Sequence, residues 1–176
     1  FAVGDKIVIR PSWEEYDDDG TKKVLKIDPG HVFGTGTHET TQLCIELIEN
    51  YMKEGDCVAD IGCGSGILSI ASLLLGASHA DAVDIDPNAI DIAYTNAGMN
   101  GIGKDVYTVL SGDIINDKEL ENTFCGKKYD VVEANIVADV IIALTSKIPD
   151  FIKEGGIFIS SGIIVERLDG VLKALE

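Results

Sequence analysis

A chain of 176 residues with 45% hydrophobic and 25% charged content is long enough for one domain with a sizeable core. Its 30 acidic against 14 basic residues give a net charge of −16 and a pI near 4.4, which argues against nucleic acid as a direct ligand and favours basic partners, because phosphate binding rests on clustered lysine and arginine. A membrane span is excluded too: the longest apolar run, 67 to 75, includes two serines and falls far short of the roughly 18 residues a spanning helix needs.

The first 27 residues read as a linker with two short strands, Lys6 to Arg10 and Val24 to Ile27, joined by an acidic turn from Glu14 to Asp19 that faces water. Residue 28 opens the main domain, which extends to 176. Its first segment is a loop, Asp28-Pro29-Gly30 and then Phe33-Gly34-Thr35-Gly36-Thr37-His38. A helix follows from about 38 to 52, with Thr37 as N-cap and Leu43, Leu47, Ile48, Tyr51 and Met52 on one face. From there strands and helices alternate: strand 57–62, helix 66–75, strand 80–85, helix 87–99 opened by Asp86 and Pro87, strands 106–110 and 129–135, helix 138–147, strand 155–161 and helix 163–175. Such alternation implies a doubly wound, mainly parallel α/β sheet. Ligands then bind beyond the carboxyl ends of the strands, where Gly62, Asp84, Asp113 and Asn135 are expected to converge. The chain starts at Phe1 and stops inside a helical pattern, so it reads as a fragment.

The chemistry is concentrated in Asp60-Ile61-Gly62-Cys63-Gly64-Ser65-Gly66 and in Asp84-Ile85-Asp86-Pro87, whose first acid comes 22 residues after the first glycine. A strand, a glycine turn opening a helix and an acid-tipped second strand form a nucleoside-cofactor site: N–H groups face the ligand at the helix start, and the acid reaches the ribose hydroxyls. The spacing is G-x-G-x-G, with Ile67 where the dinucleotide fingerprint needs its third glycine. Between His31 and Ser78 the only Lys or Arg is Lys53, so the site suits a ligand that is itself partly positive. S-adenosylmethionine, with a sulfonium and an ammonium, is such a ligand. Cysteines 44, 57, 63 and 125 form no C-x-x-C pair and read as reduced packing residues of a cytoplasmic protein, and no metal site is expected.

With these residues placed, the chain resembles the class I S-adenosylmethionine methyltransferases with their Rossmann-like sheet, and more narrowly the bacterial ribosomal protein L-eleven methyltransferase family. The narrow resemblance rests on the run from Leu25 to Thr41, containing F-G-T-G-T-H-E-T-T, on Asp60 to Gly66, on Asp84 to Pro87, and on Ala134-Asn135-Ile136. It implies an enzyme that methylates amino groups, lysine side chains or an α-amine, of a basic large-subunit ribosomal protein. It also implies that Thr41, Gly62, Asp84 and Asn135 contact the cofactor. The family's N-terminal substrate-recognition domain and its closing antiparallel strand pair have no counterpart in these residues. The alternatives are a methyltransferase of the same fold acting on another protein or a small amine, and a cofactor-binding module without activity.

Within that frame Gly62, Gly64 and Gly66 are expected to cradle the methionine portion and Asp60 to take its ammonium. Asp84 holds the ribose, Ile85 packs on the adenine, and Asp113 accepts from the adenine amine unless it is only a surface-turn residue. Thr37, His38 and Thr41 are positioned to close over the methionine end. Asn135 is expected to orient the substrate amine, or else to cap the helix at 138. His38 is read as a candidate base, since histidine titrates in a suitable range, or as a solvent-exposed residue at a helix start.

Overall fold

The computed structural model describes residues 1–17, 20–28 and 36–176. The acids Asp18 and Asp19 of the expected turn, and Pro29 to Thr35 of the expected loop, lie outside the described residues. In chain order the elements are β1 (Ala2–Val3), β2 (Ile7–Pro11), β3 (Lys23–Ile27), α1 (Glu39–Tyr51), β4 (Cys57–Ile61), α2 (Ile67–Leu74), β5 (His79–Asp84) and α3 (Asn88–Met99). They continue with β6 (Tyr107–Ser111), α4 (Lys118–Cys125), β7 (Tyr129–Asn135), α5 (Ala138–Thr145), α6 (Ile148–Phe151), β8 (Ile152–Ser161) and α7 (Val165–Leu175).

The central sheet has the order β6-β5-β4-β7-β8 and is parallel throughout. From β4 the chain winds outward through β5 and β6, then returns to β4's other side for β7 and β8. The direction therefore switches between β4 and β7, and a crevice opens at their carboxyl ends. One face of the sheet is covered by α1, α2 and α3, and the other by α4, α5 and α6 through Phe124, Leu144 and Phe151.

The N-terminal strands form a second sheet, β1-β2-β3, in which β2 and β3 run parallel with Ile7 opposite Lys23, so the two are not a hairpin. This sheet packs against the helices of the central one. Ile7, Ile9, Leu25 and Ile27 share one core with Ile45 and Ile48 of α1 and with Ile67 and Ile70 of α2. Cover from both sides explains why α2 is apolar almost all round.

Helix α1 buries Thr41, Cys44, Ile45 and Ile48, whereas Leu43, Leu47 and Tyr51 of the expected apolar face are exposed. Both stripes repeat at helical spacing, and the position of the sheet selects the one that contains Thr41. His38 is the N-cap of this helix in place of the expected Thr37. Strand β8 begins earlier than expected, directly after α6, and α7 begins two residues later.

Two helices, α4 and α6, have no counterpart in the sequence reading. For α4 a local signal exists: Asp117 Oδ1 accepts from the N–H groups of Glu119 and Leu120 at 3.0 and 3.1 Å, and Leu120 and Phe124, four apart, are buried. Asp117→Ala is expected to cost about 1 kcal/mol of stability, read as a lower urea midpoint with an unchanged slope. An unchanged midpoint would mean that water caps the helix equally well.

Candidate functional site

The glycine turn is built by its protein neighbours. Gly62 has φ of 79°, and its N–H and that of Cys63 both donate to Val83 O, which ties the tip of β4 to β5. A Cβ at Gly62 would run into Ile136 Cγ2, just past the tip of β7. Gly66, at φ of 79°, opens α2 in the left-handed region, where a Cβ would lie 2.7 Å from Tyr107 Oη and 3.1 Å from Ala93 Cβ. Both positions require glycine before any ligand is considered.

Asp84 ends β5 and braces the same turn. Its Oδ2 accepts from Gly64 N at 2.8 Å and its Oδ1 from Asp86 N at 2.9 Å. A carboxylate offers about four lone-pair directions, so one on each oxygen remains, a pattern that matches two adjacent hydroxyls. Ile85 beside it is 73% exposed, a large apolar side chain held in water at a strand tip. Gly112 N donates to Asp84 O and brings the segment after β6 to the same place. There Asp113 accepts from Ile115 N at 3.0 Å and from Asn116 Nδ2 at 2.7 Å, in the turn that leads to α4. The Asn116 bond holds the Asp113 carboxyl below the usual range, so it is ionised at neutral pH.

Asn135 ends β7 across the switch point from Gly62. Its Nδ2 donates to Thr41 Oγ1 at 3.2 Å, a contact between residues 94 apart in sequence. With the amide nitrogen given to Thr41, Oδ1 is the atom left to accept a hydrogen bond from a ligand. The cap of α5 is Val137, which makes no side-chain capping bond, so Asn135 is not a capping residue. Thr41 itself is buried at 3% exposure.

His38 and Thr37 stand at the start of α1. His38 Nδ1 lies 2.7 Å from Thr40 Oγ1 and accepts from Thr40 N at 3.2 Å. Nδ1 is thus engaged within the first turn of α1. Its observed job is to cap the helix. Thr37 contributes its carbonyl, which accepts from Gln42 Nε2 at 3.0 Å.

Asp60 lies below the turn at 1% exposure, where its Oδ2 takes both the hydroxyl and the N–H of Ser69 in the first turn of α2. Beside it on β7 sits Glu133, fully buried and missed by the sequence reading, bound through Oε1 to Ser72 Oγ at 2.6 Å. Serines three apart on an apolar helix were its sequence signal. Away from the tips, a cavity of about 750 Å³ is lined by Lys6, Lys22, Lys23 and Lys26 with the C-terminal residues of α2 and α3. It includes no strand-tip residue, and its cations complement the negative ends of the two helices.

The family model described as ribosomal protein L11 methyltransferase matches residues 1–176. A ribosomal protein L11 methyltransferase of Thermoanaerobacter pseudethanolicus is 44% identical over 176 residues, covering 100% of this chain and 54% of that protein. The chain thus spans about half the length of the curated relatives it matches. The crystal structure of a ribosomal protein L11 methylase from Lactobacillus delbrueckii subsp. bulgaricus superposes with a TM-score of 0.87 at 33% identity, over 99% of this chain and 85% of that one. A candidate SAM-dependent methyltransferase from Streptococcus mutans shares the fold with a TM-score of 0.67 at 15% identity, over 82% of this chain and 42% of that one.

Proposed function

Because this chain belongs to the ribosomal protein L11 methyltransferase family, we propose that it binds S-adenosylmethionine at the carboxyl ends of β4, β5 and β7 and methylates amino groups of that ribosomal protein. The observation that carries the reading is the Asn135 amide, held by Thr41 with Oδ1 left at the strand tip beside the glycine turn.

Asp84 is the ribose ligand, by the lone pairs its two backbone donors leave over. Ile85 supplies an apolar surface for the adenine, and ionised Asp113 an acceptor for its exocyclic amine. Gly62, Gly64 and Gly66 shape the turn against the methionine portion, with Thr37 and Thr41 at its edge. Asp60, buried beneath, contributes its charge state to the ammonium's surroundings more than a direct contact. When bound, S-adenosylmethionine supplies a methyl group activated by its sulfonium. The chain's own task is then to hold a neutral amine in line with that group, and proximity and orientation dominate such catalysis. A lysine amine, with an ordinary pKa near 10.4, has to shed a proton first, which removal from water favours. Asn135 Oδ1 accepts one remaining N–H and so aims the lone pair. A basic ribosomal protein is drawn to a chain of net charge −16, and free thiols at all four cysteines are in keeping with the cytoplasm.

Titration calorimetry with S-adenosylmethionine and with NAD is expected to show binding of the first and none of the second. Mass spectrometry of the ribosomal protein after incubation with chain and cofactor is then expected to show whole-methyl increments. Binding of NAD alone would overturn the reading.

A further inference from the structure

Below the two strand tips lies a carboxyl pair of which the proposed reaction leaves Glu133 without a role. Asp60 of β4 and Glu133 of β7 are register partners, 1% and 0% exposed. Both side chains point to the face covered by α1 and α2, since Val58 and Val131, two residues earlier on each strand, belong to that core. Helix α2 gives each acid one hydroxyl: Ser69 Oγ donates to Asp60 Oδ2 and Ser72 Oγ to Glu133 Oε1, both at 2.6 Å. Asp60 has a further donor in Ser69 N at 3.2 Å, whereas Glu133 Oε2 is buried without a hydrogen-bond partner among the described residues.

Among the described residues the titratable groups facing this pair are all acids. Cys44 of α1 faces Glu133 and Asp60, and Cys63, Asp84 and Tyr107 surround Asp60. Among the described residues no ion pair to Lys, Arg or His reaches either carboxyl. Two ionised carboxylates side by side in a dry core without a cation are unfavourable, so a proton takes the place of the counter-ion. Burial first, then the charge of Asp60, push Glu133 well above the usual carboxyl range, and the better-bonded Asp60 rises less.

The placement gives this proton a consequence. Asp60 is two residues before Gly62, Glu133 is two before Asn135, and Ser69 lies in the helix turn that Gly66 opens. We propose that Glu133 is a positioning residue for the cofactor site: as a neutral acid it joins β7 to α2 through Ser72, and so fixes the glycine turn relative to Asn135. Once ionised, it sets a second negative charge beside Asp60 and strains that join. The cofactor readout rests on the function proposed above, and the stability readout does not.

The test compares wild type, Glu133→Gln and Glu133→Ala in two measurements. The first is thermal unfolding without cofactor from about pH 5 to about pH 9. An acid whose folded pKa is raised adds stability that is fully present below its unfolded value near 4.3, and that is lost as pH rises towards the folded value. Wild type is therefore expected to lose melting temperature relative to Glu133→Gln as pH rises. The second is S-adenosylmethionine binding by calorimetry over about pH 6 to 9. The ligand's own amine titrates alike in every comparison, so the difference between proteins carries the result. Wild-type affinity is expected to fall about tenfold more than that of Glu133→Gln across this range, while Glu133→Ala, with Ser72 orphaned, binds weakly throughout. Glu133→Gln tracking wild type in both measurements overturns the positioning role. Cofactor binding by wild type at no pH overturns the proposed function and this role together, whereas binding with the same pH profile in both proteins overturns this role alone.

Discussion

Asp84→Ala is expected to lower the affinity for S-adenosylmethionine roughly ten- to several-hundredfold, the largest effect on binding that any single side chain here offers. A charge-assisted hydrogen bond is worth on the order of 1.5–3 kcal/mol net, and losing about one such bond's worth from the pair to the ribose, with water making good the rest, sets that range. The variant also frees Gly64 N and Asp86 N, so the glycine turn loses its brace to β5 at the same time. The first loss acts on the bound state and the second on a part-buried turn, and neither touches the cores, so the circular dichroism spectrum is expected to stay that of wild type. Calorimetry reads the result directly, and undiminished affinity in a folded Asp84→Ala protein would remove this residue from the site.

Asn135→Ala is expected to act on a different quantity, lowering kcat about a hundredfold or more with a much smaller change in cofactor affinity. An interaction that aims the amine is realised mainly in the transition state, so its loss appears in turnover. Positioning errors of about 1 Å are enough to cost a factor of this size. Thr41→Val keeps the volume at position 41 but removes the acceptor that holds the amide, so a smaller loss of kcat in the same direction is expected. Single-turnover rates alongside calorimetric affinities separate the two quantities. Equal losses in rate and in binding would make Asn135 a cofactor ligand only.

These two residues differ in how visible they were before the fold was known. Asp84 is legible because the glycine turn and the next parallel strand are linked by one short helix, and the covalent path sets their distance. The Thr41–Asn135 bond is not legible from spacing, since the two meet only after β7 inserts beside β4 and α1 packs across them. His38 shows the same limit. The F-G-T-G-T-H-E-T-T run carries part of the family resemblance, but only the fold shows that the His38 imidazole Nδ1 is engaged in capping α1.

The alternation of strands and helices, the parallel doubly wound class, the glycine turn with its acid and the family are all legible in the residue order, because each follows from periodicity or from spacing along a few dozen covalently joined residues. Whatever depends on two distant segments meeting emerges only on packing. The face of α1 that is buried, the parallel pairing of β2 with β3 and the burial of Glu133 beside Asp60 belong to this second group. In isolation Leu43 and Leu47 are better core residues than Thr41 and Cys44, and Glu133 is an ordinary surface acid. The packed sheet reverses both, because an apolar stripe is chosen by the surface it meets and a carboxyl's charge by the water it loses.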